Sequence, residues 1–452
     1  MRRIILLLIS LIYVAEIFAQ SAENGIVQGR VYNSKNNESV PFASVVIFQT
    51  TIGSATNFDG EFKFTGVKPG FIKLQVSAVG FETYISPDIM VTNAKMVNID
   101  IPLTESNIAL DEVVIKPSPF RKTEESPVSL RRIGLQDIEK SPGSNRDISK
   151  VIQSFPGVAS TPVQRNDVIV RGGGPSENSF FLDDVEIPNI NHFATQGASG
   201  GPVGILNVDF IREVNFYSGA FPANRGDALS SVLEFRQKDG NTEKTEVQGT
   251  LGASEVALTL DGPIGEKTTY IFSARRSYLQ LLFAVLELPF LPTYNDIQFK
   301  TKTKLNDKNE LTIIGLGALD QFNLNLEANE TEDQRYILNY LPVNEQWNYT
   351  IGAVFKHYKE KSYDTWVISR SFLNNTSYKY RDNIEVDSLK TFDYLSTEAE
   401  NKFRYENTTR TDNGYKINYG AGLEYAQYTN STFRKEFIGE NPFIVDYNTN
   451  LD

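Results

Sequence analysis

The sequence predicts a mainly β protein in three parts. These are an N-terminal β-sandwich over residues 25–104, an α+β domain over residues 121–240, and an incomplete antiparallel transmembrane β-barrel over residues 246–452. Three observations point there. Before residue 105, short alternating runs separated by turn signals recur about every 10 residues. From Asp167 to Asn189 a glycine-rich turn joins two β-prone runs, downstream of a helix-period segment. After Glu246, alternating segments pair an apolar face with a strongly charged one, the pattern of a barrel with a wet interior.

Residues 1–19 read as an export signal. Arg2-Arg3 is its positive start, Ile4 to Ile12 its apolar core, and Ala19 before Gln20 its cleavage point. The run is too short for a spanning helix, and Glu16 interrupts it. In residues 25–104, Val27 to Tyr32 alternates, Pro41 to Phe48 makes a second strand, and Asn57 to Gly60 turns into Glu61 to Phe64. Val31, Val45, Ile47, Phe62 and Phe64 are the expected core of a sandwich of about seven strands. The Asn57 to Gly60 turn is read as a connection, because the remaining ligand spacing of a calcium loop is missing.

Residues 105–120 form a linker holding a short β-prone run, Asp111, Glu112, Val113, Val114 and Ile115, ahead of Pro117 and Pro119. Such a run is either an extended segment free to add to the sheet edge of a partner or the last strand of the sandwich.

In residues 121–240, Ile148, Val151, Ile152 and Phe155 have near-helical spacing, with Asn145 as N-cap and Pro156-Gly157 as the stop. Gly172, Gly173 and Gly174 permit positive φ after Arg171, and Pro175 fixes the exit. No P-loop Lys-Ser/Thr follows, so this is a structural turn and not a phosphate cradle. Asp183, Asp184 and Glu186 read as a solvated turn in preference to a cation site. His192 is either a ligand-facing residue at the tip of this domain or a plain polar loop residue.

In the barrel region, Ile297, Phe299, Thr301, Thr303 and Leu305 share one face, and Gln298, Lys300, Lys302 and Lys304 the other. Tyr349, Ile351, Ala353 and Phe355, and later Ile417, Tyr419 and Leu423, repeat the apolar face, so these residues are assigned to lipid and the lysines to the lumen. At roughly 40–50 residues per pair of strands, the region holds about eight to ten. An incomplete sheet would leave two open edges, which a bilayer does not tolerate. The expectation is therefore the N-terminal part of a longer protein, or an incomplete barrel.

Composition narrows the function. The net charge of −12 argues against a nucleic-acid surface. The absence of cysteine excludes disulfides, thiolate metal sites and a cysteine lipid anchor. With His192 and His357 the only histidines, and no nucleophile–base pair or metal cluster, no catalytic residue, metal site or cofactor is assigned.

Taken together, Val170-Arg171-Gly172, Leu182-Asp183-Asp184, Arg212-Glu213-Val214, Asn224-Arg225-Gly226 and Val232 to Phe235 resemble the plug domain of TonB-dependent outer-membrane receptors. Asp184 departs from the family's usual Gly. Residues 25–104 resemble the carboxypeptidase regulatory-like domain through Gly29, Val31, Pro41, Ala43, Val45, Asn57 to Phe62, Pro69-Gly70 and Val79-Gly80-Phe81. Asp111 to Ile115 resembles the TonB box of Bacteroidetes-type receptors, and Tyr270 to Tyr278 an early barrel strand. The resemblance implies active uptake across the outer membrane, with residues 25–104 in the periplasm. Its partners are TonB of the TonB-ExbB-ExbD complex, outer-membrane lipid and a small external ligand of unread class, with ferric siderophores, cobalamin, glycans and peptides all open. Ser179 to Asp184 lacks the form found in SusC-like glycan receptors, which weakens the case for a SusD-like lipoprotein partner and leaves it open. The alternative is a secreted or surface binding or adhesion protein of tandem β domains, which leaves the plug-like motifs unexplained.

Overall fold

The computed structural model describes residues 24–93, 95–106, 129–144, 147–159, 165–195, 200–252, 254–411, 415–438 and 441–452. The export signal, Asp111 to Ile115 and Asn145 lie outside the described residues. The chain divides into two compact units, Met1–Val113 and Val114–Asp452, and strand accounts for 57% of it.

In the first unit, Gly25–Asn33 pairs antiparallel with Glu61–Val67 and parallel with Val97–Asn98 and Ile101–Leu103. A second sheet orders Gly53–Ala55, Ser44–Ile47, Leu74–Ser77 and Tyr84–Ile85. Gly70–Ile72 and Ile89–Val91 make a separate pair. Alternate residues of the facing strands fill one core that includes Val31, Val45, Ile47, Phe62 and Phe64. Among its described residues the unit has ten short strands where about seven were expected, because sheet edges are broken into two- and three-residue pieces. At the Asn57 turn, the Asn57 carboxamide oxygen accepts from Asp59 N at 3.0 Å and Glu61 N at 2.8 Å. Gly60 has φ 74°, and a Cβ there would sit 2.5 Å from Val31 O, so the turn is a strand connection that needs glycine.

The second unit nests a five-stranded mixed sheet inside a larger one. Its strand order is Leu130–Gly134, Ile211–Tyr217, Ser231–Gln237, Asn178–Leu182, Val185–Ile187. Only the pairing of Asn178–Leu182 with Ser231–Gln237 is parallel. The expected helix is Ile148–Gln153, and it buries Ile148, Val151 and Ile152. Its N-cap is Asp147, whose carboxylate accepts from Ser149 N at 2.9 Å and Gly204 N at 2.9 Å.

The large sheet has ten antiparallel strands in sequence order, an incomplete barrel. Its later strands are longer than the ten or so residues a bilayer needs: Ser362–Tyr380 has 19 residues and Lys390–Arg410 has 21. Connections at one end are short, as between Asn306 and Asn309 or Tyr358 and Ser362. At the other end lie longer ones, which carry Leu279–Val285, Glu332–Tyr340 and the turns after Tyr380. Among the described residues no helix is long and apolar enough to cross a membrane. Ile297, Ile351, Ile417 and Leu423 stand exposed on the outer face. Ile314, Leu316, Ala318 and Val354 face inward, packed with Phe180, Leu182 and Val185 of the inner domain.

Candidate functional site

The inner domain is held in the sheet at two levels, and both are built from buried charge. At the upper level, towards the longer connections, His192 exposes no surface. Its Nδ1 lies 2.7 Å from Asp320 Oδ1 and its Nε2 3.1 Å from Asp296 Oδ2. The ring lies against Tyr294, with centroids 4.3 Å apart. The neighbouring backbone is gripped as well: Phe193 N donates to Asp320 Oδ2 at 2.7 Å, and Ala194 N to Gln346 Oε1 at 2.9 Å. Burial opposes a charge on His192, but Asp320 and Asp296 outweigh it and push its pKa up to about 9. His192 is thus a cation clamped between two wall carboxylates. The sequence left His192 as a ligand-facing or a plain polar loop residue; in this packing it is fully buried between plug and wall.

Arg275 completes this level. Its Nε donates to Asp296 Oδ1 at 2.9 Å, and its Nη2 to the Ile205 carbonyl at 2.7 Å. The wall arginine therefore meets the inner domain through backbone carbonyls, while its carboxylate partners, Asp296 and Glu255, belong to the wall.

At the lower level the hairpin of Asn178–Leu182 and Val185–Ile187 turns at Asp183 and Asp184, with φ 45° and 72°. Both central residues of such a two-residue turn need positive φ, so glycine suits the second position. Here Asp184 accepts the strain and places a carboxylate among cations. Arg225 Nη2 is at 2.9 Å, Lys356 Nζ at 3.1 Å and Arg236 Nη1 at 3.2 Å. Burial alone would raise its carboxyl, but Arg236, Lys356 and Arg225 hold it well below the ordinary range. Arg225 also donates to Glu234 at 2.7 Å and to wall residue Glu406 at 3.3 Å, with its guanidinium over the Phe181 ring at 4.6 Å. Beside it, wall residue Lys300 meets Asp183 at 3.2 Å and Asp239 at 2.8 Å, and Lys302 meets Asp239 at 2.8 Å. Glu186 pairs with wall residue Lys402 at 3.1 Å. The reading of Asp183, Asp184 and Glu186 as a solvated turn is overturned, because three wall lysines, Lys300, Lys356 and Lys402, and two arginines of the same domain, Arg225 and Arg236, pair with them.

The glycine turn has a local role. Arg171 takes φ 52° and its amide donates to Gly157 O at 2.8 Å. Gly172 has φ 80°, and a Cβ on Gly173 would lie 2.6 Å from Ser230 Oγ, whose hydroxyl donates to Val170 O at 2.7 Å. Gly174 and Gly226 have room for a side chain. Arg225 and Asp184 are therefore brought together, while Arg171 and Gly172 to Gly174 shape a turn elsewhere.

Residues 122–232 match the family model of the TonB-dependent receptor plug domain. Residues 27–115 match the CarboxypepD_reg-like domain. The fold of the solved ferripyoverdine receptor of the outer membrane of Pseudomonas aeruginosa is similar, at 12% identity and TM-score 0.50, covering 76% of this chain and 49% of that one. A ferric enterobactin receptor mutant of the same organism matches at 16% identity and TM-score 0.47, over 68% of this chain and 50% of its own. A siderophore receptor of Acinetobacter baumannii matches at 14% and 0.47, over 68% and 48%. The chain spans about half the length of these receptors. No curated protein matches it.

Sequence reasoning put Lys300, Lys302 and Lys356 on the polar, inward face but missed Asp296, Asp320, Asp239, Arg236 and Glu406. The usable signal was a charge in the inward phase of a strand whose neighbouring inward positions are apolar or neutral, as Asp320 stands beside Ala318. Between the plug and the first barrel strands lies a cleft of about 400 Å³, lined in part by Lys150, Asp209, Glu255, Arg275 and Tyr294.

Proposed function

We propose that this chain is a TonB-dependent outer-membrane receptor, or the N-terminal part of one, that takes up a small external ligand actively. The observation that carries the reading is a plug seated in a barrel wall by two buried charge clusters, His192 with Asp296 and Asp320, and Asp184 with Arg225, Arg236 and Lys356. Such contacts hold a plug shut and can re-form, because each breaks into groups that water solvates well. The short connections fit the periplasmic side and the longer ones the outside. Residue 246, where the plug hands over to the wall, lies at the short-turn end. The ligand would enter the cleft below the longer connections. TonB would add a strand at Asp111 to Ile115 and draw the plug away, the resting contacts giving way in turn.

Uptake is separable from adhesion. Cells lacking the gene would be grown on single limiting nutrients, namely ferric siderophores, cobalamin, glycans and peptides, with and without TonB. The transport reading expects the restored gene to rescue growth on at least one of them only where TonB is present. Rescue of surface attachment alone would favour the adhesion protein.

A further inference from the structure

On the outward face of the barrel two neighbouring rows differ in chemistry. One row, Ala353, Ile368, Phe403 and Leu423, is apolar. The next, towards the longer connections, is Ile351, Arg370, Asn401 and Tyr425. Their direction is fixed by the residue between them: a Cβ on Gly352 would meet Val185 of the plug at 2.6 Å, so Gly352 faces in and Ile351 and Ala353 face out. The two rows bound a shallow depression of about 480 Å³.

Arg370 is the unusual member. Its Nε donates to the Tyr349 hydroxyl at 3.0 Å and its Nη1 to Asn401 Oδ1 at 2.7 Å. Among the described residues no carboxylate stands at ion-pair distance from it. Two neutral groups thus hold a cation in place on a surface that otherwise presents Ile351, Ile368 and Phe403. A charge on a lipid face is destabilising unless something pairs with it, and a guanidinium matches phosphate oxygens in a planar fork. The next outward row on these strands is Tyr349, Phe372, Ala399 and Gln427, with Gln427 donating to the Tyr425 hydroxyl at 2.8 Å, and the row after it is Trp347, Asn374, Thr397 and Thr429. Trp347 and Tyr349, with ring centroids 6.2 Å apart, stand on the side of the longer connections from Arg370, where aromatic residues of a barrel flank its apolar band.

We infer that this depression holds a phosphate-bearing lipid of the external leaflet. The phosphate sits on Arg370 with Asn401 and Tyr425, and an acyl chain lies along Ile368, Phe403 and Leu423. The inference rests on the reading of these strands as a membrane barrel with this face to lipid.

The chain has two tryptophans, Trp347 and Trp366, and both lie on strands that line the depression. The chain, inserted in phosphatidylcholine vesicles, would be titrated with brominated phosphatidylglycerol and separately with brominated phosphatidylcholine while tryptophan quenching is followed. A single arginine near the interface predicts about a five-fold preference for the anionic lipid. Arg370→Gln should bring that ratio to about one, with insertion verified by heat-modifiable gel migration. If Arg370→Gln fails to insert, Asn401→Leu, which frees the guanidinium from its anchor, should lower the ratio by half or more. Equal quenching by the two lipids in an inserted wild type overturns the site alone. Quenching by neither contradicts the membrane reading, and the site with it. A preference that survives Arg370→Gln, or that inorganic phosphate abolishes, also overturns the lipid assignment.

Discussion

His192 Nδ1 lies 2.7 Å from Asp320 Oδ1, and neither side chain exposes any surface to solvent. The two residues belong to different layers, one to a plug loop and one to the barrel wall, so their bond measures how firmly the layers are joined. Because Asp296 stands on the other side of the ring at 3.1 Å, removing either carboxylate leaves the imidazolium with one partner.

This pairing makes docking sensitive to alkali. The pKa of His192 rises from 6.5 to about 9 on folding. Its contribution is complete below about pH 6.5 and is lost as pH climbs through 9, an effect of about 3 kcal/mol. Thermal unfolding of wild type and His192→Gln across that range should show a gap that is widest at the acidic end and closes by pH 10. A gap that does not vary with pH would contradict the charged clamp.

Asp184→Gly sets two effects against each other. Glycine at φ 72° relieves strain of about 1 kcal/mol. Removing the carboxylate leaves Arg225, Arg236 and Lys356 short of a buried partner, which costs about 3–5 kcal/mol. The net expectation is a loss of roughly 2 kcal/mol or more, read by urea unfolding. Stabilisation would mean that the cations find enough compensation from Glu234 and Glu406.

Close approach of plug and wall depends on Gly352. An added Cβ would meet Val185 Cγ2 at 2.6 Å. Gly352→Val should lower stability by about 1–3 kcal/mol through overpacking, and paired Val185→Ala should recover part of it. Failure of the pair to recover anything would separate the two residues energetically.

The faces can be tested by single cysteines, since the chain has none of its own. A water-soluble thiol reagent should label position 304, whose lysine side chain is 43% exposed on the lumen side, and spare 297 and 351 in the bilayer. Position 300 should react only once the plug is displaced, because Lys300 is buried against Asp183 and Asp239. Labelling at 297 and 351 but not at 304 reverses the assignment.

Much of this was legible in the chain. The two-residue period that put Ile351 outside and Lys302 inside is a local signal, and so are the turn at Asn57 and the helix through Ile148. The partners were not legible. His192 meets residues 104 and 128 positions away, and Arg225 meets Glu406 at a separation of 181. No short window carries such pairings, so a buried acidic turn and a solvated one look alike. Asp184 in place of the family's Gly was visible as a departure. Its reason appears only when Arg236 and Lys356 arrive from other strands.

The central claim, that Asp111 to Ile115 is the handle by which TonB opens this plug, is tested most directly by photo-cross-linking in living cells from a reactive residue at position 113. The account predicts a cross-linked product with TonB that disappears with Val114→Pro, which removes an N–H and fixes φ, and persists with Val114→Ala, because strand addition uses the backbone. No TonB product, or one indifferent to the proline, would contradict it and return the segment to plain linker.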